Sequence, residues 1–197
     1  MFIDIHTHID NQSVIRIVDG DAEKILNTVG VHPWEVERHF EWNDAFAVGE
    51  VGLDKARKET FTRQLEVFEE MIRLSELHRK PVIVHCVRAY SEIIAMRKKT
   101  KATMPWVIHG FNSSVETMRQ LIGRDIYISL GEVLYRNENQ AVEILKNIPL
   151  ERLFLETDVS GRDIRDVYAR AAQLIGCDID CLSKQIFENY GRLEAAH

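Results

Sequence analysis

Phe46-Ala47-Val48-Gly49-Glu50-Val51, an amphipathic run from Ala56 to Lys80, and then Pro81-Val82-Ile83-Val84-His85-Cys86-Val87 form the stretch whose reading decides the fold. The two flanking segments are short and almost wholly apolar, as strands covered on both faces are. Between them Phe61, Leu65, Phe68, Ile72 and Leu77 recur at three-to-five-residue spacing among charged positions, which predicts a long helix. Strand, helix, strand with a connection this long is a parallel crossover. Downstream the alternation continues, with strands predicted at Trp106 to Phe111, Ile126 to Leu130 and Leu153 to Thr157. Helices are predicted at Ser91 to Lys99, Val115 to Ile122 with Gly123 as C-cap, Glu138 to Lys146, Ile164 to Ile175 with Gly176 as C-cap, and Cys181 to Tyr190. Upstream, Phe2 to His6, Val14 to Val18 and Ile25 to Val31 bring the strand count to eight.

Eight strands alternating with helices close into a barrel, yet the first quarter fits poorly. Only six residues, Asp19 to Lys24, separate Val18 from Ile25, whereas a parallel crossover needs about a dozen. A tight turn is predicted there, and the path from Asp10 to Val31 is left open. The fold class is therefore α/β, a TIM-like (β/α) barrel that is distorted or shortened in its first quarter, where hairpin-like turns stand in for outer helices. Such barrels usually run to about 250 residues; this chain has 197 and is read as a single domain over residues 1–197.

Composition narrows the function. With 45% hydrophobic and 28% charged residues the chain is an ordinary globular sequence. Its 25 Lys and Arg against 31 Asp and Glu give a net charge of −6, so it lacks the basic excess by which non-specific duplex binders displace counterions. A nucleic-acid substrate would need metal ions to meet its phosphates. No basic stretch followed by an apolar run opens the sequence and no window approaches a membrane span, so a cytoplasmic location without membrane contact is expected. Nothing in the sequence points to a stable protein partner. The three cysteines are expected to be reduced; Cys177 and Cys181 are spaced for one helical face and are assigned to packing.

Five of the eight histidines, His6, His8, His32, His85 and His109, fall at or just past the C-terminal end of a predicted strand, whereas His39, His78 and His197 do not. In a parallel barrel those strand ends open onto one rim, where such folds build active sites. Glu50, Asp54, Glu132, Glu156 and Asp158 follow strands in the same way. His6-Thr7-His8 leaves an apolar strand with both imidazoles on one face, because side-chain direction repeats every two residues. A buried imidazole without a partner costs free energy, and four of them converging with carboxylates read most simply as metal ligands.

His6, His8, Glu50, His85, His109 and Asp158 suffice for two divalent ions. The reading places His6, His8 and Asp158 on one ion, His85 and His109 on the other, and Glu50 between them, with Asp158 and Glu50 as catalytic groups. Asp158 can also accept the proton of a metal-activated water. Two such ions stabilise both the attacking and the departing oxygen of a displacement. Imidazole with carboxylate suits zinc or manganese, and magnesium where waters complete its shell.

These residues sit within longer strings: Phe2-Ile3-Asp4-Ile5-His6-Thr7-His8, Gly30-Val31-His32-Pro33-Trp34, Gly49-Glu50-Val51-Gly52-Leu53-Asp54, Pro81 to His85, His109-Gly110-Phe111-Asn112-Ser113-Ser114, Leu155-Glu156-Thr157-Asp158 and a terminal Glu188-Asn189-Tyr190. In this order the sequence resembles the TatD family of metal-dependent hydrolases, the TatD-like deoxyribonucleases, over nearly its whole length. The resemblance implies a TIM barrel, a divalent-metal centre and deoxyribonuclease activity often directed at single-stranded ends. It implies metal ligation by the six residues above and a substrate-facing His32. Departures lie where length is missing, between His8 and Gly30 and after Asp54. Val159-Ser160 replaces the usual Pro after the last aspartate, and Arg88 stands one place later than the basic residue usual after His85.

Several residues keep two readings. Arg88 and Arg136 face a phosphate or stay solvated; Ser113 or Ser114 caps a helix or, with Asn112, meets substrate. Trp34 stacks on a base or packs behind His32, and Asp54 supports its turn. The leading expectation is a two-metal phosphodiesterase, a probable deoxyribonuclease whose partner is single-stranded DNA or another phosphodiester, with His32 and Arg88 toward the substrate. The alternatives are amidohydrolase-type cleavage of a small amide or ester, since fold does not fix function, and a catalytically weak metal-binding protein.

Overall fold

A computed structural model describes residues 1–196; His197 lies outside them. The first three strands form a meander. β1 (Phe2–Ile9) runs antiparallel to β2 (Gln12–Asp19), which runs antiparallel to β3 (Ala22–Val29). The β1–β2 turn is made by Asp10 and Asn11 alone, both at positive φ (49° and 62°), the backbone that a tight hairpin twisted like its strands requires. Gly20 at φ 61° opens the second turn, so the six-residue gap is a hairpin as its length requires. This settles the path of residues 10–31, and no helix interrupts it.

From β3 onward every pairing is parallel. β4 (Ala47–Asp54), β5 (Val82–Val87), β6 (Trp106–Ile108), β7 (Ile126–Leu130) and β8 (Leu153–Leu155) follow in sequence order. A parallel bridge between Thr7 and Asp158 links β8 back to β1, so the eight strands form a nearly closed barrel. Helices cover the parallel part: α1 (Phe61–His78), α2 (Tyr90–Thr100), α3 (Val115–Ile122), a one-turn α4 (Val133–Arg136), α5 (Glu138–Asn147), α6 (Ile164–Ile175) and α7 (Ile179–Glu194). All eight residues of β4 are buried, as expected of a strand covered on both faces.

Helix α1 begins at Phe61, because residues 58–60 form a separate 3-10 turn, and ends where Arg79 turns left-handed. Its buried stripe is Val67, Phe68, Met71 and Ile72, while Leu77 is 75% exposed and leaves the predicted apolar face. α3 and α6 have the predicted bounds, with Ser114 capping α3 by accepting from the Thr117 amide at 3.2 Å. α7 begins two residues earlier than predicted, capped by Asp178. Cys177 therefore precedes the helix, and Cys177 and Cys181 share no helical face; both are free thiols. Buried Asn189 on α7 donates to the carbonyls of Leu150 (2.8 Å) and Leu153 (2.9 Å), fastening the last helix to the last strand. Among the described residues no helix is long and apolar enough to cross a membrane.

Candidate metal centre

The rim histidines and carboxylates converge on one point, the Glu50 carboxylate. Gly52 helps bring β4 and β5 together there: at φ 144° it passes so near β5 that a β-carbon would sit 2.1 Å from the His85 carbonyl oxygen. Glu50 Oε2 faces β1, 3.4 Å from His6 Nε2 and 3.5 Å from His8 Nε2. Glu50 Oε1 faces the other way, 2.7 Å from both His85 Nδ1 and His109 Nε2 and 3.3 Å from His32 Nε2. Asp158 Oδ1 completes the β1 side, 3.6 Å from His6 Nε2 and 3.5 Å from His8 Nε2. All six predicted ligands are thus brought together, with His32 beside them. Three sets of donor atoms lie mutually within 4.8 Å: His6, His8 and Asp158; His6, Glu50 and His109; His32, Glu50 and His85.

The spacing on the β1 side is informative. Separations of 3.4–3.6 Å among His6, His8, Glu50 and Asp158 exceed ordinary hydrogen-bond distances. Such gaps between imidazole nitrogen and carboxylate oxygen are those of neighbouring ligands on one ion bound at about 2.0–2.2 Å. His6 Nε2 is buried and without a hydrogen-bond partner, aimed at this space. The residues fit a divalent cation.

Charge follows the same geometry. Burial acts to raise the pKa of Glu50, but the charge of His109 and the ring N–H groups that His109 and His32 turn toward it hold it far below the carboxylate range. Burial acts to lower that of His109, yet Glu50, with Glu156 behind it, raises it well above the histidine range. For Asp158 burial is outweighed by the facing His6 ring and its charge, so its carboxyl stays ionised. In His85 burial prevails and its pKa is lowered.

His32 has a different role from its neighbours. The Trp34 amide donates to its Nδ1 at 3.2 Å, so the neutral ring carries its proton on Nε2, which donates toward Glu50. That makes His32 a donor at the rim.

Behind the cluster stand groups whose functions the sequence does not disclose. Asp54 accepts from the Ala56 amide (2.8 Å) and from Trp34 Nε1 (2.6 Å), and its Oδ2 lies 3.5 Å from His85 Nε2. It supports its turn, as expected, and also backs His85. Glu156 accepts from the Gly110 amide at 2.5 Å, with Oε1 3.7 Å from His109 Nδ1. Buried Asp4 accepts from the amide (2.9 Å) and hydroxyl (2.7 Å) of Thr157 and from Arg16 (3.2 Å). Burial raises the Asp4 pKa to about 6 in spite of these bonds. The clamp holds the residue before Asp158, which sits at φ 49° with its amide donating to the His6 carbonyl (3.0 Å) and its carbonyl accepting from the Thr7 hydroxyl (3.2 Å). No signal in the sequence joins Asp4 to Thr157.

The cluster floors a cleft of about 820 Å³ walled by Asn11, Asn27, Trp34, Phe40 and Val159 among others. Trp34 is 57% exposed, set edge-on to His32 with Arg57 over its ring. Arg88 is not part of this cleft. It is exposed and lines a separate cavity of about 590 Å³ beside Cys86, Ser91 and Asn112. Arg136 is solvated and paired with Glu132 at 2.9 Å.

Imidazoles and carboxylates gathered at the C-terminal rim of such a barrel define a metal-dependent hydrolase. The chain belongs to the TatD family: the sequence model described as TatD related DNase matches residues 1–194. It is 30% identical over 204 aligned residues to the uncharacterized metal-dependent hydrolase YcfH of Escherichia coli K12, covering 91% of this chain and 77% of that one. It is 27% identical to deoxyribonuclease Tat-D of Schizosaccharomyces pombe (82% and 60% covered) and 31% identical to the 3'-5' ssDNA/RNA exonuclease TatD of Edwardsiella piscicida (71% and 60%). In fold it is similar to the crystal structure of the TatD homolog YJJV from Escherichia coli, with a TM-score of 0.75, 22% identity, and 85% of this chain and 76% of that one covered.

Proposed function

We propose that residues 1–197 act as one domain that hydrolyses phosphodiesters, single-stranded DNA foremost, with two divalent ions of zinc, manganese or magnesium. The observation that carries this reading is the 3.4–3.6 Å spacing of the His6 and His8 nitrogens from the Glu50 and Asp158 oxygens, with His6 Nε2 buried and without a hydrogen-bond partner. The names of the yeast and Edwardsiella relatives support a nucleic-acid substrate. One ion is assigned to His6, His8 and Asp158 and a second to His85 and His109, with Glu50 offering one oxygen to each. Ions held there would supply Lewis acidity to a phosphoryl oxygen and a lowered pKa to water.

The chain's own groups do the rest. Asp158 has the most exposed side chain of the six, at 36%, and stays ionised, so it accepts the proton that an attacking water gives up. His32 donates from Nε2 to a phosphoryl oxygen, and Trp34 stacks on the terminal base. Arg88, across the His85 strand end in its own cavity, receives a neighbouring phosphate as a planar fork.

The test is cleavage of end-labelled single-stranded DNA by metal-stripped protein resupplied separately with magnesium, manganese and zinc, beside Asp158→Asn. Metal-dependent shortening that the variant lacks is expected, and the label reports which end is attacked. If metal binds and no DNA is cut, the reading is wrong in its substrate, and amide and ester hydrolysis follows next.

A further inference from the structure

The two hairpin strands that replace helical crossovers do more than shorten the barrel. β1 and β2 pair as Phe2↔Val18, Ile3↔Ile17 and Asp4↔Arg16, then shift register and continue as Thr7↔Val14, His8↔Ser13 and Ile9↔Gln12. The shift is a bulge at Ile5 and His6, one extra residue on β1. Without it, regular pairing would set Thr7 opposite Ser13 and turn the serine away from the histidines; with it, Ser13 shares a face with His8. β2 pairs with β3 through Val14↔Asn27, so Thr28 follows Ser13 on the same face. The side chains meet there: Ser13 Oγ lies 3.3 Å from His6 Nδ1, and Thr28 Oγ1 lies 2.9 Å from Ser13 Oγ and 2.7 Å from the Ser13 carbonyl oxygen.

We propose that Ser13 and Thr28 are positioning residues that fix the tautomer and aim of His6 for a cation, an inference that rests on the metal reading above. An imidazole that gives its Nε2 lone pair to a metal carries its proton on Nδ1, and that proton needs an acceptor. Ser13 Oγ is the acceptor within reach of buried His6. The Thr28 hydroxyl donates to the Ser13 carbonyl at 2.7 Å, and its oxygen, 2.9 Å from Ser13 Oγ, is placed to accept the Ser13 proton and hold that side chain in place. His85 and His109 turn their outer nitrogens toward the carboxylates of Asp54 (3.5 Å) and Glu156 (3.7 Å); His6 faces a neutral hydroxyl pair instead, on strands where a complete barrel carries crossovers.

The measurement is metal affinity by isothermal titration calorimetry with zinc and with manganese, alongside the melting temperature of the metal-free protein, for Ser13→Ala, Ser13→Thr, Thr28→Val and His6→Ala. Loss of an outer partner of a metal-ligating histidine typically weakens binding about 10- to 100-fold. Ser13→Ala is expected to fall in that range with its metal-free melting temperature little changed, Thr28→Val to fall less, and Ser13→Thr, which restores the hydroxyl, to recover wild-type affinity. Affinity within twofold of wild type in Ser13→Ala, while His6→Ala loses binding, overturns the relay and leaves the metal centre standing. A Ser13→Thr variant as weak as Ser13→Ala likewise overturns it, because shape rather than the hydroxyl would then be at work. If His6→Ala itself binds metal as wild type does, the metal reading fails and the relay with it.

Discussion

The two oxygens of Glu50 face unlike surroundings. Beside Oε2 the His6 and His8 nitrogens stand 3.4–3.6 Å from the Glu50 and Asp158 oxygens, the spacing of neighbouring ligands on a bound ion. Around Oε1, His85 and His109 have closed to 2.7 Å, and their nitrogens lie 3.3 Å from each other. The first arrangement is set by backbone: β1 delivers both histidines, and Asp158 is tied to β1 through the His6 carbonyl and Thr7. The second is set by charge, a carboxylate drawing in imidazoles from β5 and the end of β6. One side is preorganised, and the other has to exchange hydrogen bonds for metal bonds before it can bind.

The largest effect should separate the sides by activity. A ligated cation contributes several kcal/mol to a phosphoryl transition state, so His6→Ala and Asp158→Asn are expected to lower kcat/KM by about 10³-fold or more, and His85→Ala by clearly less at saturating metal. Equal losses would break the comparison. Stepwise titration is the next test: the first equivalent of metal should bind at least about tenfold tighter than the second, since only the second displaces hydrogen bonds. Indistinguishable equivalents would count against the asymmetry.

The pH dependence sharpens it further. The pKa of His109 is raised well above the ordinary histidine range, so its imidazolium must lose a proton before a cation can take its Nε2. Weak-site affinity should therefore climb with pH from neutrality upward and then level off, with a proton released, as read by titration in buffers of different ionisation heat. In the metal-free protein the sign is opposite. A raised histidine pKa stabilises the fold fully below the unfolded value and loses that contribution as pH rises through the folded value. Denaturant unfolding of metal-stripped protein should show stability falling above neutral pH, and His109→Asn should flatten that fall.

Asp54→Asn and Glu156→Gln probe the backing of the second side, with expected losses of about 10- to 100-fold in weak-site affinity and little change at the tight site. Trp34→Ala should have the smallest effect. A base stacked on an aromatic ring contributes about 1–3 kcal/mol, so KM for a single-stranded oligonucleotide is expected to rise about fivefold to tenfold, with metal binding unchanged.

Much of this is legible in the sequence alone. Apolar runs alternating with amphipathic ones report burial directly, so all eight strands and the bounds of α3 and α6 follow from periodicity and caps. The six-residue gap after Val18 excludes a crossover by length alone. The rim histidines were legible because a polar residue ending an apolar strand is conspicuous. What stayed hidden depends on partners far along the chain: Asp4 meets Thr157 only when the barrel closes, and the bulge that turns Ser13 inward leaves no mark in the pattern. Leu77 and Cys181 misled for a related reason, since spacing identifies a face but not whether another element covers it. Arg88 stands past a strand end like the histidines, yet its left-handed backbone (φ 54°) sends it to another cavity.

The bridge between Thr7 and Asp158 joins residues 151 positions apart, and it bears on when the molecule becomes active during its own synthesis. Synthesis runs from the N-terminal side, so the aspartate that completes the cage is added 151 positions after Thr7, long after the β1 histidines beside it. Until then a nascent chain holds the two imidazoles and no finished pocket, so the metal centre cannot assemble on a partly made barrel.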